Sequence, residues 1–169
     1  MIVQRASQRA GVPWRNGLGV QYEIAVVTGW RLSTADLTTD VQFSLFGGVT
    51  REFCVAQGNG VILTIDGETY RCEPESITVF DGAADVYCAL INGAAKALNL
   101  MVPHDAAAVR LHIYRLGETI EQAGALVAIG GPALLRNQRG EGVELDALDA
   151  VLNASEAFAV AQGVVAAVI

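Results

Sequence analysis

The chain has 169 residues, 52% of them hydrophobic and 17% charged, and it carries a formal net charge of −7. This length can form one well-packed domain or two small stacked halves, and the high apolar content argues against disorder. The acidic balance without a basic stripe excludes nucleic acid as the expected partner, and no apolar run is long enough to suggest a membrane-spanning segment.

The N-terminal sequence MIVQRASQRAG has neither the apolar central segment nor the small-residue cleavage site of a signal peptide. The three cysteines, Cys54, Cys72 and Cys88, are odd in number, and each lies in a strand-like run. This usage is typical of reduced thiols in a protein core rather than of a disulfide framework. We therefore expect a cytoplasmic protein.

Alternation of apolar and polar residues with a period of two predicts a series of short strands before residue 103. The turn dipeptides Asp66-Gly67 and Asn92-Gly93 favour tight hairpins, because both central positions can adopt positive φ. The predicted strands cover residues 20–27, 30–37, 51–56, 61–65, 68–72, 76–80, 86–91 and 95–102. Many short strands at this spacing indicate an all-β sandwich or barrel with almost no helix.

A second and weaker set of strand signals follows residue 108. Residues 119–127 would alternatively form a helix, and the glycine-rich segments 130–132 and 139–142 are predicted loops. The predicted strands are 109–116, 119–128, 143–145, 149–153, 157–160 and 164–169. The residues alone therefore predict a barrel-like all-β protein with a β-rich extension.

Polar side chains interrupt the apolar strand pattern in segment 30–51, WRLSTADLTTDVQFSLFGGVTR. Ionic and hydroxyl groups are costly to bury without partners, so they indicate a turn, a hydrogen-bond network or a ligand pocket. Alternation places Arg31 and Ser33 on the same face of one strand. Because a guanidinium donates two parallel hydrogen bonds to a carboxylate, Arg31 is the predicted anchor of a small carboxylate ligand.

Six further residues are predicted to complete this ligand site. Ser33, Ser44 and Asn99 would supply neutral hydrogen-bond donors, and Arg51 would supply a second cation. Asn16 would add a polar contact, and Trp14 would form an apolar wall.

Purely structural roles remain as alternatives for the same side chains. Arg31 would then pair with Asp40 across a strand, and Ser44 would satisfy a bulge. Asn99 would hydrogen-bond the backbone at a barrel corner, and Trp14 would plug an open end of the barrel.

Metal binding and covalent catalysis find little support in the sequence. The two histidines, His104 and His112, lack the spacing of a ligand pair, and no thiol pair accompanies them. Ser33 and Ser44 have no evident base, and no Gly-x-Ser-x-Gly elbow is present. We therefore predict no metal, no cofactor and no catalytic residue.

Five short elements resemble, in the same order, those of the HutD/Ves family. They are PWRNG at 13–17, WRLSTA at 30–35, FSLFGGVTR at 43–51, GNGVILTIDG at 58–67 and LNLM at 98–101. Ala97 and Thr50 stand where the family usually has Asp. The segment after Gly58 also lacks the His-x-His pair that metal-binding cupins have at this place.

The resemblance implies an RmlC-like cupin barrel, a double-stranded β-helix, that is bicupin-like with a reduced second half. Residues 1–103 would form the main barrel, and residues 104–169 a smaller β-rich half packed on it. The implied function is sensing of a carboxylate metabolite, urocanate or formylglutamate, in bacterial histidine utilisation.

Two other classes of function stay open. One is a metal-independent cupin enzyme, such as an isomerase or lyase, and the other is an oligomerising interaction protein without a ligand. The apolar content and the strand edges also suggest a two-fold homodimer.

Overall fold

The computed structural model describes residues 1–106 and 108–169. These residues form seventeen strands and a single turn of 3-10 helix, Ala6–Gln8. In chain order the strands are β1 (Ile2–Gln4), β2 (Gly11–Pro13), β3 (Val20–Val27), β4 (Trp30–Leu37), β5 (Val41–Gln42), β6 (Val49–Gln57), β7 (Val61–Ile65), β8 (Glu68–Cys72), β9 (Ile77–Asp81), β10 (Val86–Leu90), β11 (Ala95–Pro103), β12 (Leu111–Tyr114), β13 (Thr119–Ile120), β14 (Ala123–Asn137), β15 (Gly142–Leu145), β16 (Ala150–Ala154) and β17 (Phe158–Val168).

The strands divide the chain into two compact units. The central unit is Ala10–Val109, and the terminal unit joins Met1–Arg9 to Arg110–Ile169. Within the described ranges, no helix is both long enough and apolar enough to pass through a membrane.

The central unit contains two antiparallel sheets. One has six strands in the order β2-β3-β4-β11-β6-β9, and the other has four in the order β5-β10-β7-β8. Strands of both sheets contribute to one apolar core, which includes Leu37, Phe53, Leu63 and Val86. Full burial of such side chains stabilises the fold by about 1.5–3 kcal/mol each, so this core accounts for much of the unit's stability.

The terminal unit is built on one seven-stranded sheet with the path β1-β16-β14-β17-β12, to which β13 and β15 add at the sides. Strand β1 pairs antiparallel with β16, with Val3 opposite Val151. The first nine residues therefore lie in the terminal unit, although the predicted division assigned them to the first half. No local sequence signal indicates this pairing, because β1 and β16 lie far apart in the chain.

A buried carboxylate holds the N-terminal segment in the terminal unit. Asp149 Oδ2 accepts a hydrogen bond from Arg5 Nη1 at 2.6 Å, and Asp149 Oδ1 accepts one from the Ala6 amide at 2.7 Å. The Asp146 amide also donates to Asp149. Burial by itself would raise the pKa of Asp149, but these hydrogen bonds outweigh it and the pKa lies below its ordinary value.

Two predictions for the terminal unit are wrong. The segment 130–132, predicted as a loop, lies inside β14, and the alternative helix at 119–127 is replaced by strand. The pairing of β14 with β17 shifts register between Ile129 and Leu134. The Gly-Gly-Pro run lies in this irregular part of the pairing, and the strand continues beyond it. Opposite it, Gly163 has φ +79°, and a Cβ there would approach the Pro132 carbonyl oxygen to 2.4 Å.

Candidate functional site

Three neighbouring strands of the six-stranded sheet form the base of a pocket in the central unit. Asn99 of β11 lies opposite Ser33 of β4 and Phe53 of β6, and Met101 lies opposite Arg31 and Arg51. Directly paired residues share a sheet face, so the odd-numbered side chains of all three strands point to the same side.

The pocket encloses about 20 Å³, which is room for a single water molecule. Its lining combines aromatic, apolar and neutral polar side chains with one cation. The lining residues are Trp14, Gln21, Ser33, Ala35, Leu37, Phe43, Ser44, Phe46, Arg51, Ala97, Asn99 and Met101.

Arg51 is the charged group of this lining, and it is 6% exposed. Its Nη1 donates to the Ser44 carbonyl at 3.3 Å, and its Nη2 donates to Asn99 Oδ1 at 3.1 Å. Its Nε is buried and has no hydrogen-bond partner among the described residues. Burial lowers the pKa of Arg51 to about 10, so the guanidinium keeps its charge at neutral pH.

Aromatic rings surround the Arg51 guanidinium. Its central carbon lies 5.1 Å from the ring centroids of Phe43 and Phe80 and 5.8 Å from that of Phe46. Cation–π attraction offsets part of the cost of burying the charge. Arg51 forms no ion pair within residues 1–106 and 108–169, so no protein carboxylate neutralises it there.

The neutral polar groups of the pocket mainly offer hydrogen-bond donors. Asn99 uses its oxygen to accept from Arg51, which leaves its Nδ2 group free to donate. The Ser33 side chain is buried at 3% exposure and makes no hydrogen bond with the described part of the chain. Gln21, an amide, can both donate and accept.

Two loops, here called the pocket loops, contribute the remaining lining: residues 14–19 and residues 43–48. The Trp14 ring meets the Phe43 ring edge to face at a centroid distance of 5.8 Å. Trp14 also packs on Gly19, where an added Cβ would lie 2.6 Å from the indole. The close approach of the indole therefore requires a residue without a side chain at position 19.

Asn16 connects the two pocket loops. Its amide N donates to Ser44 Oγ at 3.2 Å, and its Nδ2 donates to the Gln42 carbonyl at 3.0 Å. Asn16 is not part of the pocket lining. It instead holds the first loop against the second, whose Ser44 carbonyl in turn accepts from Arg51.

Arg31 lies on the pocket face of β4 but does not line the pocket. Its Nη2 donates to Glu23 Oε1 at 2.8 Å, so its partner is Glu23 rather than Asp40. Asp40 instead accepts a hydrogen bond from the Leu90 amide.

The structure thus brings together five of the seven predicted site residues, and it puts Asn16 and Arg31 beside the pocket. The five in the lining are Trp14, Ser33, Ser44, Arg51 and Asn99. Sequence reasoning missed Phe43 and Phe46, although both belong to the FSLFGGVTR element. They lie in a loop, where strand alternation gives no information about side-chain direction.

Neither histidine lies in this pocket. His104 Nε2 is 3.5 Å from Asp81 Oδ2, and His112 packs near the Tyr114 ring. Within the described ranges, no group of three or more His, Cys, Asp or Glu side chains is arranged to hold a metal ion. The predicted absence of a metal stays a prediction.

Comparison with known proteins identifies relatives of the chain. The HutD family model matches residues 6–167. An uncharacterised 21.2 kDa protein in the hutC 3′ region of Pseudomonas putida is 37% identical over an alignment 105 positions long, which covers 57% of this chain and 55% of that protein. The match therefore spans about half the length of this curated relative.

Solved structures agree with the family match. HutD from Pseudomonas fluorescens SBW25, determined in a formate condition, is 28% identical with a TM-score of 0.80, covering 99% of this chain and 97% of that one. A cupin 2 conserved barrel domain protein from Leptotrichia buccalis is 13% identical with a TM-score of 0.58, covering 89% of each chain. The second likeness concerns the fold alone, and with the all-β architecture it confirms the predicted cupin fold. The family model covers nearly the whole sequence, and the chain belongs to the HutD family.

Proposed function

We propose that this chain binds a small carboxylate in the pocket of the central unit and that Arg51 anchors it. The observation that carries the proposal is a buried guanidinium without an ion pair among the described residues and with an unpaired Nε. A buried charge without a counter-charge is costly, so an entering carboxylate would remove part of that cost. Arg31 is the weaker anchor because Glu23 already occupies it.

The surrounding groups support a carboxylate as the ligand. Asn99 Nδ2 and the Ser33 hydroxyl can donate to oxygen atoms, and the aromatic side chains suit an apolar or planar ligand body. The enclosed space of about 20 Å³ is too small for a substituted acid. Entry of such a ligand therefore requires the pocket loops to move.

The biological role that we propose is sensing of a carboxylate metabolite in histidine utilisation. Membership of the HutD family supports this role, as does the relative in the hutC 3′ region. Urocanate and formylglutamate remain the candidate ligands. The lining side chains include no carboxylate, imidazole or thiol to act as general acid or base, which favours binding over catalysis.

Calorimetric titration of the wild type with formate, urocanate and formylglutamate tests the proposal. Formate is the smallest carboxylate and requires the least widening of the pocket. Arg51→Lys keeps the charge but loses the planar fork, so we expect binding to weaken by about tenfold to a hundredfold. Arg31→Lys is the matching substitution at the other predicted arginine. Its ammonium can still pair with Glu23, so these three acids should bind as they do to the wild type.

Two results would reject the proposal. If none of the three acids bound to the wild type, the proposal that the pocket binds a small carboxylate would be rejected. Weaker binding by Arg31→Lys together with unchanged binding by Arg51→Lys would make Arg31 the anchor.

A further inference from the structure

An ion pair lies beside the pocket on the same face of the sheet. In the strand register Glu23 is directly opposite Ser33, which lines the pocket, and Arg31 is two residues before Ser33 on β4. The three side chains therefore point to one side of the sheet. Arg31 Nη2 and Glu23 Oε1 are 2.8 Å apart, and neither residue lines the pocket.

Glu23 is the acidic residue that the register puts on this face of β3, β4, β6 and β11. The other acidic residues of these four strands are Asp36 and Glu52, and both are neighbours in sequence of pocket-lining residues. Successive residues of a strand point to opposite faces, so Asp36 and Glu52 point away from the pocket. If the Arg31–Glu23 ion pair were broken, Glu23 would be an unpaired carboxylate directly opposite the pocket-lining Ser33.

We propose, on the basis of the proposed carboxylate binding at Arg51, that the site selects carboxylic acids without an ammonium group next to the carboxylate. Arg31 is the positioning residue that maintains this selectivity, because it holds Glu23 away from the cavity. The favoured ligands are acids that have lost their amine or carry it acylated, and free α-amino acids are rejected.

The charges of the pocket give the physical reason. An α-ammonium group would come to rest near Arg51, a like charge, when its carboxylate pairs with that guanidinium. Asn99 Oδ1 and the Ser44 carbonyl already accept from Arg51, so they are poor partners for a second cation. The Gln21 amide oxygen and the Ser33 hydroxyl oxygen can accept but are uncharged, so the lining offers the ammonium no counter-charge. Burying an unpaired ammonium costs more than burying an unpaired neutral polar group.

Calorimetric titration with matched acids that differ by one amine tests this selectivity. The pairs are propionate with alanine, glutarate with glutamate, and 3-(imidazol-4-yl)propionate with histidine. We expect the acid without the amine to bind at least about tenfold more tightly in every pair that binds. Equal or tighter binding of the amino acids would overturn the selectivity alone, whereas failure of every acid to bind would overturn the proposed function as well.

Variants of the ion pair test the role of Arg31. Arg31→Gln frees Glu23, so the preference for the acid without the amine should fall by about tenfold. The double variant Glu23→Gln/Arg31→Gln removes the freed carboxylate and should restore the wild-type preference.

A third variant, Arg71→Gln, breaks the exposed pair of Arg71 with Glu73 and is the matched control, with an expected wild-type preference. If the Arg31–Glu23 pair were only structural, the single and double variants would both lose thermal stability without changing the preference. That outcome would overturn the role assigned to Arg31.

Discussion

Arg51 Nη2 donates to Asn99 Oδ1 at 3.1 Å, and this hydrogen bond determines which way the Asn99 amide faces. A guanidinium has donors but no acceptor, so the amide must turn its oxygen toward it. The Nδ2 group then faces elsewhere as a donor. The two residues together form a cationic, donor-bearing surface in a buried site.

The substitution Asn99→Asp would give Arg51 the carboxylate partner that it lacks. We expect anion binding to fall by at least about tenfold, because the cation is neutralised from within the protein. Thermal stability should stay equal or rise, because the buried charge gains a partner. Calorimetry with formate and melting curves measure both quantities, and formate affinity at the wild-type level would contradict the assignment of Arg51 as anchor.

The Asn16 side chain should control how long a ligand stays bound. Asn16→Ala removes two side-chain hydrogen bonds: Nδ2 donates to the Gln42 carbonyl at the end of β5, next to the second pocket loop, and Oδ1 accepts from the Leu18 amide within the first pocket loop. Of these two, the bond to Gln42 joins the first pocket loop to another segment, so we expect about fivefold faster ligand dissociation, which corresponds to the loss of that one hydrogen bond. Asn59→Ala, which removes an equivalent side-chain bond to the Asn92 carbonyl, is the control for stopped-flow measurements. Equal dissociation rates in the two variants would show that the loop contact has no such effect.

The contact of Trp14 with Gly19 should be sensitive to a single methyl group. In Gly19→Ala the Cβ would lie 2.6 Å from the indole, so the ring must move. We expect a loss of about 1–3 kcal/mol in the free energy of unfolding and a change in tryptophan fluorescence. Gly47→Ala lies in the other pocket loop with no atom within 4 Å of its Cβ and should change neither. Wild-type stability and fluorescence of Gly19→Ala would mean that the indole does not need this contact.

Asp149 should make the terminal unit sensitive to acid. The pKa of Asp149 is lower in the folded state than in the unfolded chain. The stabilisation that the charged carboxylate gives is therefore complete above the unfolded-state pKa of about 4, and it is lost as the pH falls through the folded-state pKa. Asp149→Asn should lower the free energy of unfolding by about 1.5–3 kcal/mol at neutral pH, and the difference should shrink below about pH 4.

Denaturant titrations at several pH values measure this effect. The exposed neighbour Asp146→Asn is the control and should differ little from the wild type at any pH. A constant difference between Asp149→Asn and the wild type down to the lowest pH would contradict the role of the charged carboxylate.

Formation of a homodimer stays a prediction. Strands β2 and β9 are the edges of the six-stranded sheet, and they expose Val12 and Val79. Edge strands with apolar side chains favour pairing with a second copy. Light scattering should give twice the 17.8 kDa mass of the chain. Val12→Lys should return the monomer if strand β2 forms the interface, and Val79→Lys should do so if strand β9 forms it. A monomer at high micromolar concentration would contradict the prediction.

The strands and hairpins of the central unit could be predicted because their signals are local. The predicted strands 61–65 and 68–72 agree with β7 and β8 to the residue. Asp66 and Gly67 close this hairpin with φ values of +48° and +87°, the conformation that the Asp-Gly dipeptide favours. The pairing of β1 with β16 and the continuous strand β14 were missed, because both depend on residues distant in sequence.

The sequence by itself determined the all-β class through its alternation of apolar and polar residues, and its resemblance to the HutD/Ves family implied the cupin fold. Alternation also indicated polar residues near the pocket, since it fixes which side chains of a strand share a face. Only the tertiary structure decided which arginine is available to a ligand. A register shift between Glu23 and Ala25 brings Glu23 opposite Ser33, where Arg31 engages it. Arg51 is instead enclosed by aromatic rings, because its surroundings depend on how loops and strands distant in the chain pack together.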